Sequence, residues 1–194
     1  MACDLTLGRK EPCKDVVGGI KNIYFVNYGD LGAVQVAASG TTNEDEIINI
    51  TNSNTVVAYK YELKGNSSLE QTVNSSRENG TTFYEQTLNL TLKKLTKEDN
   101  KQLKLMAYGR PHVVVEDYNG NCMMMGLVNG SDVSGGTVVT GAAMGDLSGY
   151  TLTLTAMETT PANFMVVDSA EALFPFSEFA GLTGTPAATI TVGS

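Results

Sequence analysis

The chain has 194 residues, of which 42% are hydrophobic, and its formal net charge is −8. This hydrophobic fraction is enough for one packed domain and argues against a globally disordered chain. The chain is acidic and has no cluster of basic residues with which it could bind phosphates, so we do not expect a protein that binds nucleic acid.

The first half of the chain has the turn signals of a β protein. Residues 1–19 are polar and carry Pro12 and Gly18-Gly19, which predicts an irregular N-terminal arm. Apolar or alternating runs separated by Gly, Asn and Ser then predict four strands. These strands are expected at residues 20–28, 33–38, 47–51 and 56–63.

The most informative segment is one long alternation of apolar and polar residues over positions 81–95. With Asn79-Gly80 as a turn, it predicts a hairpin of residues 69–95. The apolar face carries Tyr84, Leu88, Leu90 and Leu92, and the polar face carries Glu70, Thr72, Glu85, Thr87 and Asn89. A strand of this length would reach about 50 Å, more than a domain of this size covers alone. Either the strand bends sharply or a neighbouring subunit covers part of it, so the hairpin indicates assembly before it indicates any chemistry.

The second half of the chain predicts one helix followed by further strands. Thr96 is a capping residue, acidic residues follow it, and Gly109 with Pro111 ends a helix of about eleven residues. Strands are expected at residues 113–115, 122–128, 131–139, 150–157 and 188–192. The fold class is thus mainly β, a β-sandwich or β-barrel with one flanking α-helix.

Candidate catalytic and metal-binding groups are sparse, and we do not expect an enzyme, a cofactor or a metal site. His112 is the only histidine and has no nucleophile motif beside it, so a structural role is predicted. The acidic residues 44–46 and 116–117 fit solvated or turn positions rather than a calcium loop. Met123-Met124-Met125 fits a packed strand or a subunit contact.

The chain shows no apolar segment of a secretory signal and no membrane-spanning run. Together with the odd number of cysteines, this predicts reduced thiols at Cys3, Cys13 and Cys122 and synthesis in a cytoplasm.

The order of these elements resembles the tail tube proteins of long-tailed bacteriophages and related contractile injection machines. A long hairpin precedes a short helix that ends in Ala-Tyr-Gly-Arg-Pro at residues 107–111. A valine-rich strand, the turn Asp-Tyr-Asn-Gly-Asn at 117–121 and the segment 145–154 follow. The resemblance covers residues 20–161, about three-quarters of the chain, and rests on element order rather than on an invariant motif.

The resemblance implies a structural virion protein that forms hexameric rings stacked into a hollow tube. In such rings the hairpin joins an inner β-barrel shared between subunits, and DNA passes through the lumen without specific binding. Glu70, Thr72, Glu85, Thr87 and Asn89 would then face the lumen or a neighbouring subunit. The implied partners are further copies of the chain, a tape measure protein and, in contractile tails, a sheath, with no membrane.

These considerations divide the chain into an N-terminal arm (1–19), a tail-tube-like domain (20–161) and a C-terminal extension (162–194). Two alternatives stay open. One is another virion protein, such as a head–tail connector, collar or capsid decoration protein. The other is a non-viral β-sandwich binding module that uses exposed aromatic residues, for which Phe83, Tyr108 and Tyr118 are the candidates.

Overall fold

The computed structural model of the chain describes residues 8–9, 14–41, 44–52, 55–64, 66–166, 174–176, 179–181 and 188–193. The first strands in chain order are β1 (Ile20–Val26), β2 (Ala33–Val36), β3 (Ile47–Asn52), β4 (Val56–Glu62), β5 (Ser68–Ser76) and β6 (Thr81–Lys93). The helix α1 (Lys97–Tyr108) follows, and then β7 (His112–Asp117), β8 (Cys122–Met125), β9 (Asp132–Val139) and β10 (Gly149–Glu158). The last strands are β11 (Asn163–Phe164), β12 (Phe179–Gly181) and β13 (Ala188–Val192).

The strands form three sheets, and the six-stranded sheet lies in the middle. Its order is β11-β8-β7-β1-β4-β13, and the others are β5-β6-β10-β9 and β12-β3-β2. Alternate residues of β1 supply two cores: Ile23 and Phe25 pack toward the four-stranded sheet, Tyr24 and Val26 toward the three-stranded sheet. A strand buried on both faces reads as a continuous apolar run, which is how β1 appears in the sequence.

The predicted long hairpin is present as β5 and β6. The two strands pair without a bulge from Ser76 opposite Thr81 to Ser68 opposite Asn89. β6 has 13 residues and ends at Lys93, because Lys94 adopts a left-handed backbone conformation with φ of 71°. Leu88 and Leu90 are buried in the core, as the alternation indicates.

The helix α1 begins where the sequence predicts. The Thr96 hydroxyl accepts a hydrogen bond from the Asp99 amide at 3.0 Å, and the amide of Gly109 closes the last turn. None of its residues is fully buried, and Leu103 and Met106 are its half-buried apolar side chains. The helix therefore lies at the surface, where it borders both β9 of the four-stranded sheet and β4 of the six-stranded sheet.

The C-terminal residues differ from the expected extension. β11 and β13 belong to the six-stranded sheet, where β13 pairs in parallel with β4. Met165, Phe176 and Ala188 are buried in the core shared with the three-stranded sheet. The described part of residues 162–194 is thus integrated into the domain, because its apolar side chains complete that core.

The predicted N-terminal arm is described at residues 8–9 and 14–19, all of them exposed. Asn119 holds its end by accepting from the Val17 amide at 3.0 Å and donating to the Val17 carbonyl at 2.8 Å. Cys3 and Cys13 lie outside the described residues, and Cys122 is a buried free thiol. The fold class is confirmed: the protein is mainly β, a layered β-sandwich with one helix among the residues described.

Candidate functional site

The five predicted hairpin residues lie together on the outer face of the four-stranded sheet. Glu70 pairs with Thr87 and Thr72 pairs with Glu85, while Asn89 lies opposite Ser68. Because directly paired residues share a face, all five project away from the core. Glu70, Thr72 and Asn89 are exposed, and Glu85 and Thr87 are half-buried.

Strands β10 and β9 extend this polar face beyond the hairpin, which sequence reasoning missed. Thr151, Thr153 and Thr155 of β10 lie opposite Thr91, Asn89 and Thr87. The Thr153 hydroxyl donates to Asn89 Oδ1 at 3.0 Å, and the hydroxyls of Thr137 and Thr151 are 2.6 Å apart. The alternating threonines of β10 were the available signal. They indicated a half-buried strand but not the sheet to which it belongs.

The charges on this face are mainly acidic. Glu70, Glu85 and Asp132 of β9 share it, and Lys93 lies at its end nearest the helix. Asn74 Nδ2 donates to Glu85 Oε2 at 3.4 Å beside the exposed ring of Phe83. Lys93 shares the face because it continues the alternation of Asn89 and Thr91.

Within the part of the chain that the structure describes, both edges of the four-stranded sheet lack a pairing strand. β5 and β9 are its outer strands, with nine and eight residues, and no described strand pairs with their outer edges. Neither strand contains Pro or Lys, and apart from a bulge at Ser134 nothing in them blocks pairing. Long unprotected edge strands are sites where another chain can add.

The chemistry of the core is structural. Glu116 is buried and accepts hydrogen bonds from Lys21 Nζ at 2.8 Å, Asn22 Nδ2 at 2.7 Å and Tyr24 Oη at 3.0 Å. Burial opposes ionisation of Glu116, but the three hydrogen bonds together outweigh it and leave its pKa below the ordinary value. Glu116 was expected to serve the neighbouring turn. That role belongs to Asp117, which accepts from the amides of Asn119 and Asn121.

His112 holds a loop in place. Its Nδ1 lies 2.6 Å from the carbonyl oxygen of Gly126, so this nitrogen carries the proton. Burial lowers the pKa of His112, and its ring stacks on Tyr28 at 5.2 Å. In the described part of the chain, no group of three His, Cys, Asp or Glu side chains is placed to hold a metal ion.

The aromatic candidates of a binding module lie apart. Tyr108 ends the helix just before β7, whereas Tyr118 follows the far end of that strand and Phe83 lies on the hairpin. A cleft of about 420 Å³ does exist between α1 and β4, lined by Tyr28, Tyr59 and Tyr61. Tyr28 is 45% exposed, and its ring already stacks on His112 and contacts the guanidinium of Arg110, 4.4 Å from its centroid.

No family model, no curated protein sequence and no solved structure shows a significant match to this chain. Within the described residues, no helix is long and apolar enough to cross a membrane.

Proposed function

We propose that this protein is a structural subunit of a bacteriophage tail tube, which assembles as stacked hexameric rings around a lumen for DNA. Its role is structural and not catalytic. It is synthesised in the host cytoplasm and becomes part of the virion tail. Its partners are further copies of itself and other tail proteins, such as the tape measure and, in contractile tails, the sheath. One observation carries the proposal: a four-stranded antiparallel sheet with two open edges and an exposed polar face.

The open edges support ring formation. In the order β5-β6-β10-β9 the outermost strands run in opposite directions, because every neighbouring pair is antiparallel. When copies are related by rotation about one axis, β9 of each copy adjoins β5 of the next in the antiparallel sense. Closing the ring converts all open edges into paired strands and forms one barrel.

The outer face supports the passage of DNA. It carries hydroxyl, amide and carboxylate groups, with Glu70 and Glu85 on the hairpin. Proteins that bind single-stranded nucleic acid combine basic grooves with aromatic side chains on which the bases stack. This face instead has one aromatic ring, Phe83, and one lysine at its end. Carboxylates repel phosphate, so DNA in contact with this face would slide rather than bind.

The test is assembly after a charge is placed on each sheet edge. Val73 on β5 and Val138 on β9 are 59% and 63% exposed, so V73K and V138K should fold normally. Val73 pairs with Tyr84 and Val138 with Tyr150, so both side chains lie on the core-facing side of an edge strand. A charge on that side of an edge opposes the addition of another strand, and we expect both variants to stay monomeric where the wild type forms rings or tubes in negative-stain images.

The matched control is V192K on β13, an equally exposed valine (58%) at the edge of the six-stranded sheet. It should assemble like the wild type. A wild-type protein that stays monomeric at high concentration, or V73K and V138K variants that form normal tubes, would contradict the proposal.

A further inference from the structure

The outward face of α1 carries a stripe of lysines. Lys97, Lys101 and Lys104 are spaced by four and three residues, so they lie on one side of the helix. All three are exposed, and the half-buried Leu103 and Met106 lie on the other side. Five of the chain's 13 Lys and Arg residues fall within positions 93–104 of an otherwise acidic chain.

Among the described residues, these lysines have no acidic partner within 4 Å. The described residues contain two ion pairs, Lys21–Glu116 and Lys60–Glu62, and neither involves the helix. With respect to the described residues, each lysine is therefore available to a carboxylate from another copy.

The chain also carries an acidic turn of matching size at Glu44, Asp45 and Glu46, none of which pairs with a described cation. Its shape is fixed by hydrogen bonds: Glu44 accepts from the Ser39 hydroxyl at 2.5 Å and from the Gly40 amide at 3.1 Å. The Asp45 carbonyl accepts from Asn163 Nδ2 at 2.8 Å. The hydroxyl of Ser39 lowers the pKa of Glu44, so the turn stays charged at neutral pH.

The two charged surfaces lie on opposite flanks of the subunit. The acidic turn is on the β5 flank, because Asn163 binds Asp45 and the adjacent Ala162 amide donates to Gln71 of β5 at 2.9 Å. The helix is on the β9 flank, where Asn100, Leu103 and Lys104 line a cleft against residues 133–138. Opposite flanks cannot meet within one copy, but they meet between neighbours in a head-to-tail ring.

We propose that the lysine stripe of each subunit binds the acidic turn of the next copy in the ring. The partner surface is thus a second copy of this chain. This inference rests on the proposed ring, since it needs β9 of one subunit to adjoin β5 of its neighbour. The proposed binding adds an ionic contact outside the shared barrel. This contact favours the head-to-tail arrangement of neighbouring subunits, because only opposite charges then meet.

The direct test is cross-linking of assembled protein with a carbodiimide, which joins an amine and a carboxylate that are in contact. Tubes are formed from an equal mixture of unlabelled and 15N-labelled protein and then digested for mass spectrometry. We expect cross-links between the helix peptide (residues 97, 101 or 104) and the turn peptide (44–46) that carry mixed labels. Tubes that form without these mixed-label cross-links would overturn the inference and leave the proposed function standing.

Charge variants give a second readout. K97E/K101E/K104E should raise the concentration needed for assembly about tenfold, since like charges then face each other. Adding E44K and E46K to this variant should restore assembly. The control R9E/K14E/K64E changes the net charge equally at exposed sites and should assemble like the wild type.

The outcomes separate the two proposals. Equal assembly of the helix variant and its control would overturn the ionic contact. Failure of the wild type to form any ring would overturn the ring itself, and the ionic contact with it. Circular dichroism of each variant shows whether a loss of assembly is a loss of folding.

Discussion

Glu116 shows how far a single side chain can depart from its local sequence signal. It precedes a turn, and the sequence places it with Asp117 as a turn residue. In the structure it is 2% exposed, and its partners Lys21, Asn22 and Tyr24 lie more than ninety positions earlier in the chain. A buried carboxylate needs such partners, because an isolated one would not stay charged. A local sequence pattern around Glu116 cannot predict hydrogen-bond partners this distant in sequence.

Replacing Glu116 should destabilise the subunit. E116A leaves the buried Asn22 amide and Tyr24 hydroxyl without an acceptor, so we expect a loss of about 3 kcal/mol in the free energy of unfolding. E116Q keeps one acceptor oxygen and should cost about half as much. Urea unfolding of the monomer at pH 7 measures both values.

The pH dependence of these variants provides the control. The pKa of Glu116 is below its ordinary value of 4.5, so its ionised form stabilises the fold above pH 4.5. This contribution is lost as the pH falls below 4.5 through the lowered folded-state pKa. The stability difference between wild type and E116Q should therefore shrink in acid. A constant difference would show that the charge of Glu116 contributes nothing.

Cys122 should be chemically inert in the folded protein. Burial raises the pKa of its thiol to about 12, and its side chain is 1% exposed. Only the thiolate reacts with iodoacetamide, so alkylation at pH 8 should proceed only through unfolding. Peptide mass spectrometry follows Cys122 separately from Cys3 and Cys13. Rapid labelling without denaturant would contradict this burial.

At the scale of elements, the local signals of the sequence predict most of the helix and the hairpin. A capping threonine and a terminal glycine are enough to locate α1, and strict alternation is enough to locate β6. Gln86 is the exception on β6: it lies on the apolar face and is 1% exposed. Its side-chain oxygen accepts from the Gly126 amide, and its side-chain nitrogen donates to the Thr160 carbonyl. The alternation of apolar and polar residues does not reveal contacts with loops of this kind.

The hairpin should divide into a part for folding and a part for assembly. Residues 74–80 contribute nothing to either core, so deleting them should leave a monomer within about 1 kcal/mol of wild-type stability. We expect the shortened protein to be unable to polymerise, as judged by negative-stain microscopy and sedimentation. R77S/E78S is the matched control, since it changes the turn but keeps both strands at full length. Wild-type tubes from the deletion would count against the proposed role of the hairpin in assembly.

At the scale of the whole molecule, the sequence indicates a β-sandwich, but it reveals neither the three layers nor the integration of the described part of residues 162–194. Residues 188–192 read as a strand, yet nothing local reveals that β13 pairs in parallel with β4, some 130 positions earlier. Parallel pairing with a distant strand is determined by the shape of the finished sheet. The expected boundary at residue 161 therefore falls inside the folded domain.

Removal of residues 188–194 should destabilise the domain itself. Ala188 is buried, and Ile190 packs against the same core, so the truncated chain loses both contacts and one strand of the central sheet. We expect a clear drop in the midpoint of thermal unfolding, by several degrees or more. A truncated chain that melts like the full-length protein would show that these residues are dispensable.

The late position of β13 also bears on synthesis. The strands with open edges, β5 and β9, leave the ribosome before residues 188–192 complete the central sheet. A nascent chain therefore exposes its pairing edges while one of its cores is unfinished. In the proposed assembly, growth would therefore draw on finished subunits, because copies still being translated lack the strand that completes the central sheet.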